Sequence, residues 1–195
     1  MEGESGYMIS DLRKLTESAN KFAFEWCGHR STCILTSAAL VYVLRELGYE
    51  AFPVRVRCSV HHPTDRKLTG TVLGSDGDGC RRPAAGQDMW HGHLAVIAEN
   101  RYLLDPTVDQ VGYGEHECNH WMRVPPLVAE VSERFIRGEE GFSLEQGNAN
   151  LYYNVRYKQA GFLSAPDWKC KSHWMPVAQS VLKVTKSIAK QSRVT

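Results

Sequence analysis

The sequence of 195 residues has no excess of one charge and no long apolar run. Its 23 Lys and Arg nearly balance 22 Asp and Glu, so no global field favours a polyanion and nucleic acid is not an expected partner. The most apolar run, Cys33 to Leu44, is short of the roughly 20 residues that cross a bilayer. Residues 1–7 carry two Glu and no apolar stretch, so neither a signal peptide nor a membrane partner is expected. We expect a cytoplasmic protein that begins near residue 1.

Cysteine is also scarce, with six in the chain and no close C-x-x-C pair. This argues against a disulfide scaffold and a zinc ribbon, so each cysteine needs its own explanation. A hydrophobic content of 43% is enough for one well-buried core. We expect a single domain over residues 1–195, with a core at about 10–125 and a C-terminal extension, 126–195, packed on it.

Three longer segments have the pattern of helices. Residues 10–26 place apolar side chains at steps of three and four, which predicts an amphipathic helix. The segment after Cys33 is apolar on all sides, which is typical of a central helix, with Ser31 or Thr32 as its cap and Gly48 past its end. Residues 175–190 predict a third helix with Pro176 in the first turn, and a short helix is expected at 128–137.

Strand patterns occupy the middle of the chain. Residues 49–60 alternate apolar side chains with Arg55 and Arg57, which we expect to be exposed. Residues 92–98 and 101–105 form the clearest hairpin, and 151–157 alternate in the same way. The glycine-rich segment 61–89 predicts a long loop with a short hairpin around Leu68 to Leu73. Helices and an antiparallel sheet together predict the α+β class.

Cys33 lies in the first turn of the central helix. Backbone N–H groups without intrahelical partners and the positive end of the helix dipole stabilise an anion there. A thiol in this position is a candidate nucleophile. The alternative is that Cys33 is a small hydrophobic residue of the core, as many free cysteines are.

His93 and Asp105 lie on the two strands of the hairpin. A three-residue loop, Ala98 to Asn100, sets these two residues opposite each other on one face of the sheet, whereas a two-residue loop separates them. On one face they are a candidate base and its orienting acid. The alternative is a surface histidine and a turn aspartate before Pro106.

The order Cys33, His93, Asp105 resembles the transglutaminase-like branch of the papain-like cysteine enzymes. The resemblance covers about residues 28–111 and is carried by Cys33 with the helix down to ELGYEAFPVRV, by GHLAVIA and by YLLDPT. It implies a papain-like α+β core, in which a helix carrying the cysteine packs on an antiparallel sheet carrying the histidine and aspartate.

The resemblance also implies a reaction. The Cys33 thiolate would attack an amide or thioester carbonyl, His93 would accept and return the proton, and Asp105 would fix the imidazole tautomer. The acyl group would pass to water, as in a protease or amidase, or to an amine. The expected partner is a peptide or protein amide, or another acyl donor, and no cofactor or metal is expected.

Several residues near these elements are candidates for binding substrate or for stabilising the oxyanion. The Cys33 backbone N–H is one expected oxyanion donor. The side-chain candidates are Trp26, His29, Trp90 and His91.

Two other functions are open. Histidine and cysteine are plentiful between residues 27 and 120, so a zinc site is one alternative. Residues 168–195 carry six Lys and Arg and no Asp or Glu, so a non-catalytic binding module on a degenerate papain-like fold is another. The basic helix is more often docked on its own domain.

Overall fold

The computed structural model describes residues 2–28, 32–64, 70–74, 92–113, 121–156 and 161–191. Its helices are α1 (Glu2–Cys27), α2 (Cys33–Glu46), α3 (Glu133–Ile136), α4 (Pro166–Lys169) and α5 (Lys171–Gln191), with 3-10 turns at Val108–Tyr113 and Gly161–Ser164. Its strands are β1 (Ala51–His61), β2 (Thr71–Leu73), β3 (His93–Ala98), β4 (Tyr102–Asp105), β5 (Leu127–Glu130), β6 (Phe142–Gln146) and β7 (Ala149–Val155).

The strands form one antiparallel sheet in the order β5-β4-β3-β1-β7-β6, and β2 also pairs with β1. The predicted α+β class is confirmed. Residues 127–155 contribute three strands, and β7 lies directly beside β1. The helix expected at 128–137 is wrong in its first half, because Val128 pairs with Leu104 in the sheet and only α3 is helical.

Each face of the sheet is covered by its own hydrophobic core. Helices α1 and α2 pack on one face, in a core with Ala51, Val96 and Leu104 of the strands, and α5 packs against these two helices. The other face carries a second core that includes Val54 and Val56. Because both faces are covered, the expected exposure of alternate β1 residues is wrong for Arg55, which is 7% exposed.

The predicted ends of the helices are only partly confirmed. Gly48 follows α2 with φ +90°, as expected for a helix C-terminus. Thr32 is the N-cap residue, but its hydroxyl bonds to that of Thr36 and not to a backbone N–H; Ser31 lies outside the described residues. Pro176 is wrong as a first-turn residue, because α5 begins five residues earlier, at Lys171.

The hairpin β3–β4 has the three-residue loop, one of the two lengths that the sequence left open, in a shifted register. Ala98 pairs with Tyr102, so the loop starts at Glu99, one residue later than expected. Glu99 has φ 54°, a left-handed conformation that tightens the turn. The shift changes the partner of every residue but keeps its face, so His93 and Asp105 share one face as diagonal neighbours and not as a directly opposed pair.

The segment predicted as a long loop is described only in part. Strand β2 lies within the segment expected to hold a short hairpin, but its partner is the end of β1, residues 58–60. Residues 65–69 and 75–91 lie outside the described residues. Across the described helices, none combines the length and apolar character needed to cross a membrane.

Candidate active site

His93 and Asp105 form a direct contact in the interior. The Nε2 atom of His93 lies 2.6 Å from Oδ2 of Asp105, and the two side chains are 1% and 0% exposed. An ionised carboxylate only accepts hydrogen bonds, so the His93 Nε2–H is the donor. This fixes the orientation of the ring and leaves Nδ1 as the nitrogen available to a third group.

The Asp105 carboxylate is held by two further donors. The backbone N–H of Thr107 donates to Oδ1 at 3.1 Å, and the Tyr153 hydroxyl donates to Oδ2 at 2.9 Å. Tyr153 comes from β7, where it pairs with Cys58 of β1. Three donors on a buried carboxylate offset its loss of hydration, so Asp105 is restrained from two strands and one turn.

The turn after Asp105 is fastened to the first helix. Asn20 of α1 donates its amide to the Pro106 carbonyl at 2.5 Å and to Oδ1 of Asp109 at 3.0 Å. These bonds link residues that are almost 90 positions apart in the chain. Helix α1 therefore helps to hold the end of β4, and with it Asp105, in place.

Cys33 lies where α2 begins beside the start of β3. Its Sγ is 4.0 Å from the Gly92 carbonyl oxygen, and its side chain is close enough to His93 to contribute to the raised pKa of that imidazole. The Ser37 hydroxyl, one turn further along α2, donates to the Leu94 carbonyl at 3.1 Å. This bond ties the helix to the strand and sets Cys33 next to His93. The structure thus brings together the three residues that the sequence singled out.

The environment of His93 favours the imidazolium. Burial opposes the charged form, but the Asp105 carboxylate and the Cys33 side chain outweigh it and raise the pKa of His93 to about 10. At neutral pH the ring therefore carries a positive charge between a carboxylate and a sulfur. A cation favours a negative charge on an acidic group beside it.

Gln110 is a site residue that sequence reasoning missed. Its Nε2 lies 3.2 Å from Nδ1 of His93. The amide nitrogen can donate to a neutral imidazole, and the amide oxygen can accept from an imidazolium once the amide is turned over. Its closeness to Asp105 in the chain was a usable signal, because Gln110 follows Asp105 by five residues in DPTVDQ. The 3-10 turn at 108–113, which the sequence did not predict, directs its side chain at the ring.

Tyr153 was also missed, although its strand was expected. The alternation in LYYNVRY predicts which residues face inward, but it does not tell which strand lies beside β1. Tyr153 lies beside Cys58, and burial followed by the nearby Asp105 charge raises the pKa of both the Tyr153 hydroxyl and the Cys58 thiol. Both groups are therefore protonated, and Cys58 is a core thiol without nucleophilic character.

The other candidates do not join this cluster. Trp26 is 57% exposed on the last turn of α1 and takes no part in the hydrogen bonds around His93 and Asp105 that the described residues make. His29, Trp90 and His91 lie outside the described residues.

The described histidines and cysteines do not form the zinc site that the sequence left open as an alternative. Within the described ranges, no three His, Cys, Asp or Glu side chains are grouped as a metal ion requires. Both ring nitrogens of His93 already face protein groups, Asp105 on one side and Gln110 on the other. His116, Cys118 and His120 lie outside the described residues.

Comparison with known proteins does not identify a family for this chain. No family model, no curated protein and no solved structure matches the chain.

Proposed function

We propose that this protein is a cysteine-dependent hydrolase or acyltransferase that acts on amide-type bonds, in the manner of the transglutaminase-like branch of the papain-like enzymes. The buried contact between His93 and Asp105, at 2.6 Å, is the observation that supports this most strongly. A core histidine without a function does not need a buried carboxylate that is itself restrained by two other donors. The Cys33 thiol beside the same ring supplies the missing nucleophile.

The acylation step follows from the positions of these groups. The Cys33 thiolate attacks the carbonyl carbon of an amide or thioester, and the developing oxyanion lies near the backbone N–H groups at the start of α2. The tetrahedral intermediate collapses when the bond to the leaving group breaks. His93 gives its Nδ1 proton to the leaving amine or thiol, while Asp105 keeps the ring oriented through Nε2.

Deacylation reverses these roles. Neutral His93 takes a proton from water or from an acceptor amine, which attacks the thioester carbon. The bond to Cys33 then breaks and the thiolate leaves with its imidazolium partner restored. Water as the acceptor makes the protein a protease or amidase, and an amine makes it a transferase.

The experiment that tests this function is competitive alkylation of the native protein followed by peptide mass spectrometry. At mildly acidic pH, limiting iodoacetamide is expected to modify Cys33 ahead of Cys27, Cys58 and Cys170. Exposure alone would favour Cys170, which is the exposed one of these four. Preference for the partly buried Cys33 therefore reports activation by the imidazolium.

A matched pair of variants sharpens this test. His93→Ala removes the cation beside Cys33 and is expected to abolish the preference. His173→Ala removes a half-exposed histidine that pairs with Asp167 and is expected to preserve it. Equal reactivity of all cysteines in the unmodified protein would return Cys33 to the role of a core residue and refute the proposed function.

A further inference from the structure

Gln110 faces the ring nitrogen of His93 that the Asp105 carboxylate leaves open. Its Nε2 lies 3.2 Å from Nδ1 of the ring, while Asp105 holds the other ring nitrogen at 2.6 Å. Cys33 lies beside the same imidazole, since its side chain contributes to the raised pKa of the ring. Because Asp105 occupies one nitrogen, the amide and the thiol both meet the ring at its Nδ1 edge. The Gln110 amide is therefore next to the place where an acyl group on Cys33 reacts.

The 3-10 turn that carries Gln110 is anchored to the rest of the fold. Val108 and Val111 are 0% and 2% exposed in the second core, on either side of Gln110 in the chain. Asn20 of α1 donates its side-chain amide to the Asp109 carboxylate at 3.0 Å. A side chain on such a turn is held in position before a substrate arrives. This is the property that a hydrogen-bond donor needs in order to stabilise a transition state.

The amide nitrogen of Gln110 carries N–H groups that the charged ring cannot accept. At neutral pH the His93 Nδ1 holds a hydrogen, so it is a donor and not an acceptor. Among the described residues, the Gln110 amide nitrogen has no second hydrogen-bond partner. Turning the amide over, so that its oxygen accepts from Nδ1–H, still leaves its NH₂ group without a described acceptor. A negatively charged oxygen that forms nearby would supply one.

The proposed reaction creates such an oxygen. Attack by Cys33 on a carbonyl carbon converts the carbonyl oxygen to an oxyanion that is two bonds from the sulfur. The backbone N–H groups at the start of α2 supply one donor to it. Trp26, a side-chain candidate from the sequence, is 57% exposed and takes no part in the hydrogen bonds around His93. A second donor is therefore needed from another element, and Gln110 is in place to supply it.

We propose that Gln110 is a catalytic residue whose amide N–H donates to the oxyanion formed on Cys33, together with the backbone N–H at the start of α2. This role rests on the proposed function. Acylation and deacylation each pass through an oxyanion on the same carbon, so the amide serves both steps. Gln110 gains and loses no proton. When the bond to the leaving group or to Cys33 breaks, the carbonyl forms again and its hydrogen bond to the amide weakens.

Two reactions of Cys33 isolate this role. Acylation by p-nitrophenyl acetate passes through an oxyanion, whereas alkylation by iodoacetamide displaces iodide without forming one. The ratio of the two rates at Cys33 is measured by peptide mass spectrometry, so any change in the amount of thiolate cancels. Gln110→Met has a similar size and no N–H donor, and it is expected to lower the ratio about 10²-fold. Gln110→Glu still accepts from the imidazolium but donates nothing, and it is expected to lower the ratio at least as much.

A glutamine elsewhere in the sheet provides the control. Gln146→Met changes the edge strand β6, which β7 and β1 separate from β3, and it is expected to leave the ratio unchanged. An unchanged ratio in Gln110→Met, while Cys33 of the unmodified protein is acylated, would overturn the role of Gln110 alone. A ratio that falls in Gln110→Met but not in Gln110→Glu would also overturn it, because the side chain would then only orient the imidazole. If Cys33 of the unmodified protein is not acylated, the proposed reaction and the role of Gln110 are both refuted.

Discussion

Tyr153 and His93 donate to the same carboxylate oxygen, Oδ2 of Asp105, at 2.9 and 2.6 Å. The strand that carries Tyr153 is separated from β3 by the whole width of β1. Because the two donors approach from different strands, the carboxylate cannot turn away from the imidazole without breaking a bond to the tyrosine. We infer that Tyr153 is a positioning residue that acts through Asp105.

Replacement of Tyr153 by Phe is therefore expected to loosen the His93–Asp105 contact while keeping the packing of the ring. Loss of a hydrogen bond to a charged group predicts a decrease of about 1.5–3 kcal/mol in the free energy of unfolding, measured by urea denaturation. Faster solvent exchange of the His93 Nε2–H signal in NMR is expected as well. The control Tyr152→Phe changes the half-exposed neighbour on β7, and an equal effect of the two substitutions would contradict the role of Tyr153.

The pKa of His93 links folding to pH. The native pKa of about 10 is above the ordinary 6.5. At pH values between these two, His93 is therefore protonated in the native protein and neutral in the unfolded chain. This stabilisation is complete below about pH 6.5 and is lost as the pH rises towards 10. We expect the stability difference between the unmodified protein and His93→Gln, from urea unfolding, to shrink over this range. A difference that is constant with pH would show that His93 is neutral.

Gln110 faces the nitrogen of His93 that titrates. A carboxylate in place of this amide would add an opposite charge about 3 Å from Nδ1, and a nearby opposite charge favours the imidazolium. NMR titration of the His93 ring is therefore expected to give a higher midpoint in Gln110→Glu than in the unmodified protein. Gln110→Ala is the control, because it removes the amide without adding charge, and a midpoint equal to that of Gln110→Glu would refute this contact.

Gly74 lies against the backbone of His93 and admits no side chain. A Cβ there would come within 2.4 Å of the Val56 carbonyl oxygen and 2.8 Å of the His93 nitrogen. Gly74→Ala is therefore expected to slow Cys33 alkylation by displacing His93, in addition to destabilising the fold. Gly48→Ala shares the left-handed strain but meets no atom within 4 Å, so it is expected to lower stability and preserve the alkylation rate. Equal rates in the two variants would contradict this account of Gly74.

Local patterns were sufficient to predict the two main helices and the hairpin. The hydrophobic period marks α2, and the alternation in 92–98 marks β3, so Cys33 and His93 could be placed on their elements from sequence alone. The shared face of His93 and Asp105 followed from one of the two loop lengths that the sequence left open, because it depends only on whether the loop is odd or even in length. The exact partners could not be predicted, since a loop that starts at Ala98 and one that starts at Glu99 fit the same alternation.

The remaining site residues depend on long-range pairing. Nothing local shows that β7 lies beside β1, and this pairing alone brings Tyr153 to Asp105. The sequence also does not show that both faces of the sheet are covered, so Arg55 was expected to be exposed. Pattern reasoning therefore predicted the three residues proposed to react, and it missed those that position or surround them.

The most direct test of the central claim is detection of a covalent acyl-enzyme on Cys33. Native protein is mixed with p-nitrophenyl acetate, quenched in acid within seconds, and mapped by peptide mass spectrometry. We predict an acetyl group on Cys33 that accumulates and then decays, that does not form in Cys33→Ala, and that forms far more slowly in His93→Ala. Acetylation that is spread over several cysteines and lysines, with none favouring Cys33, would contradict the account.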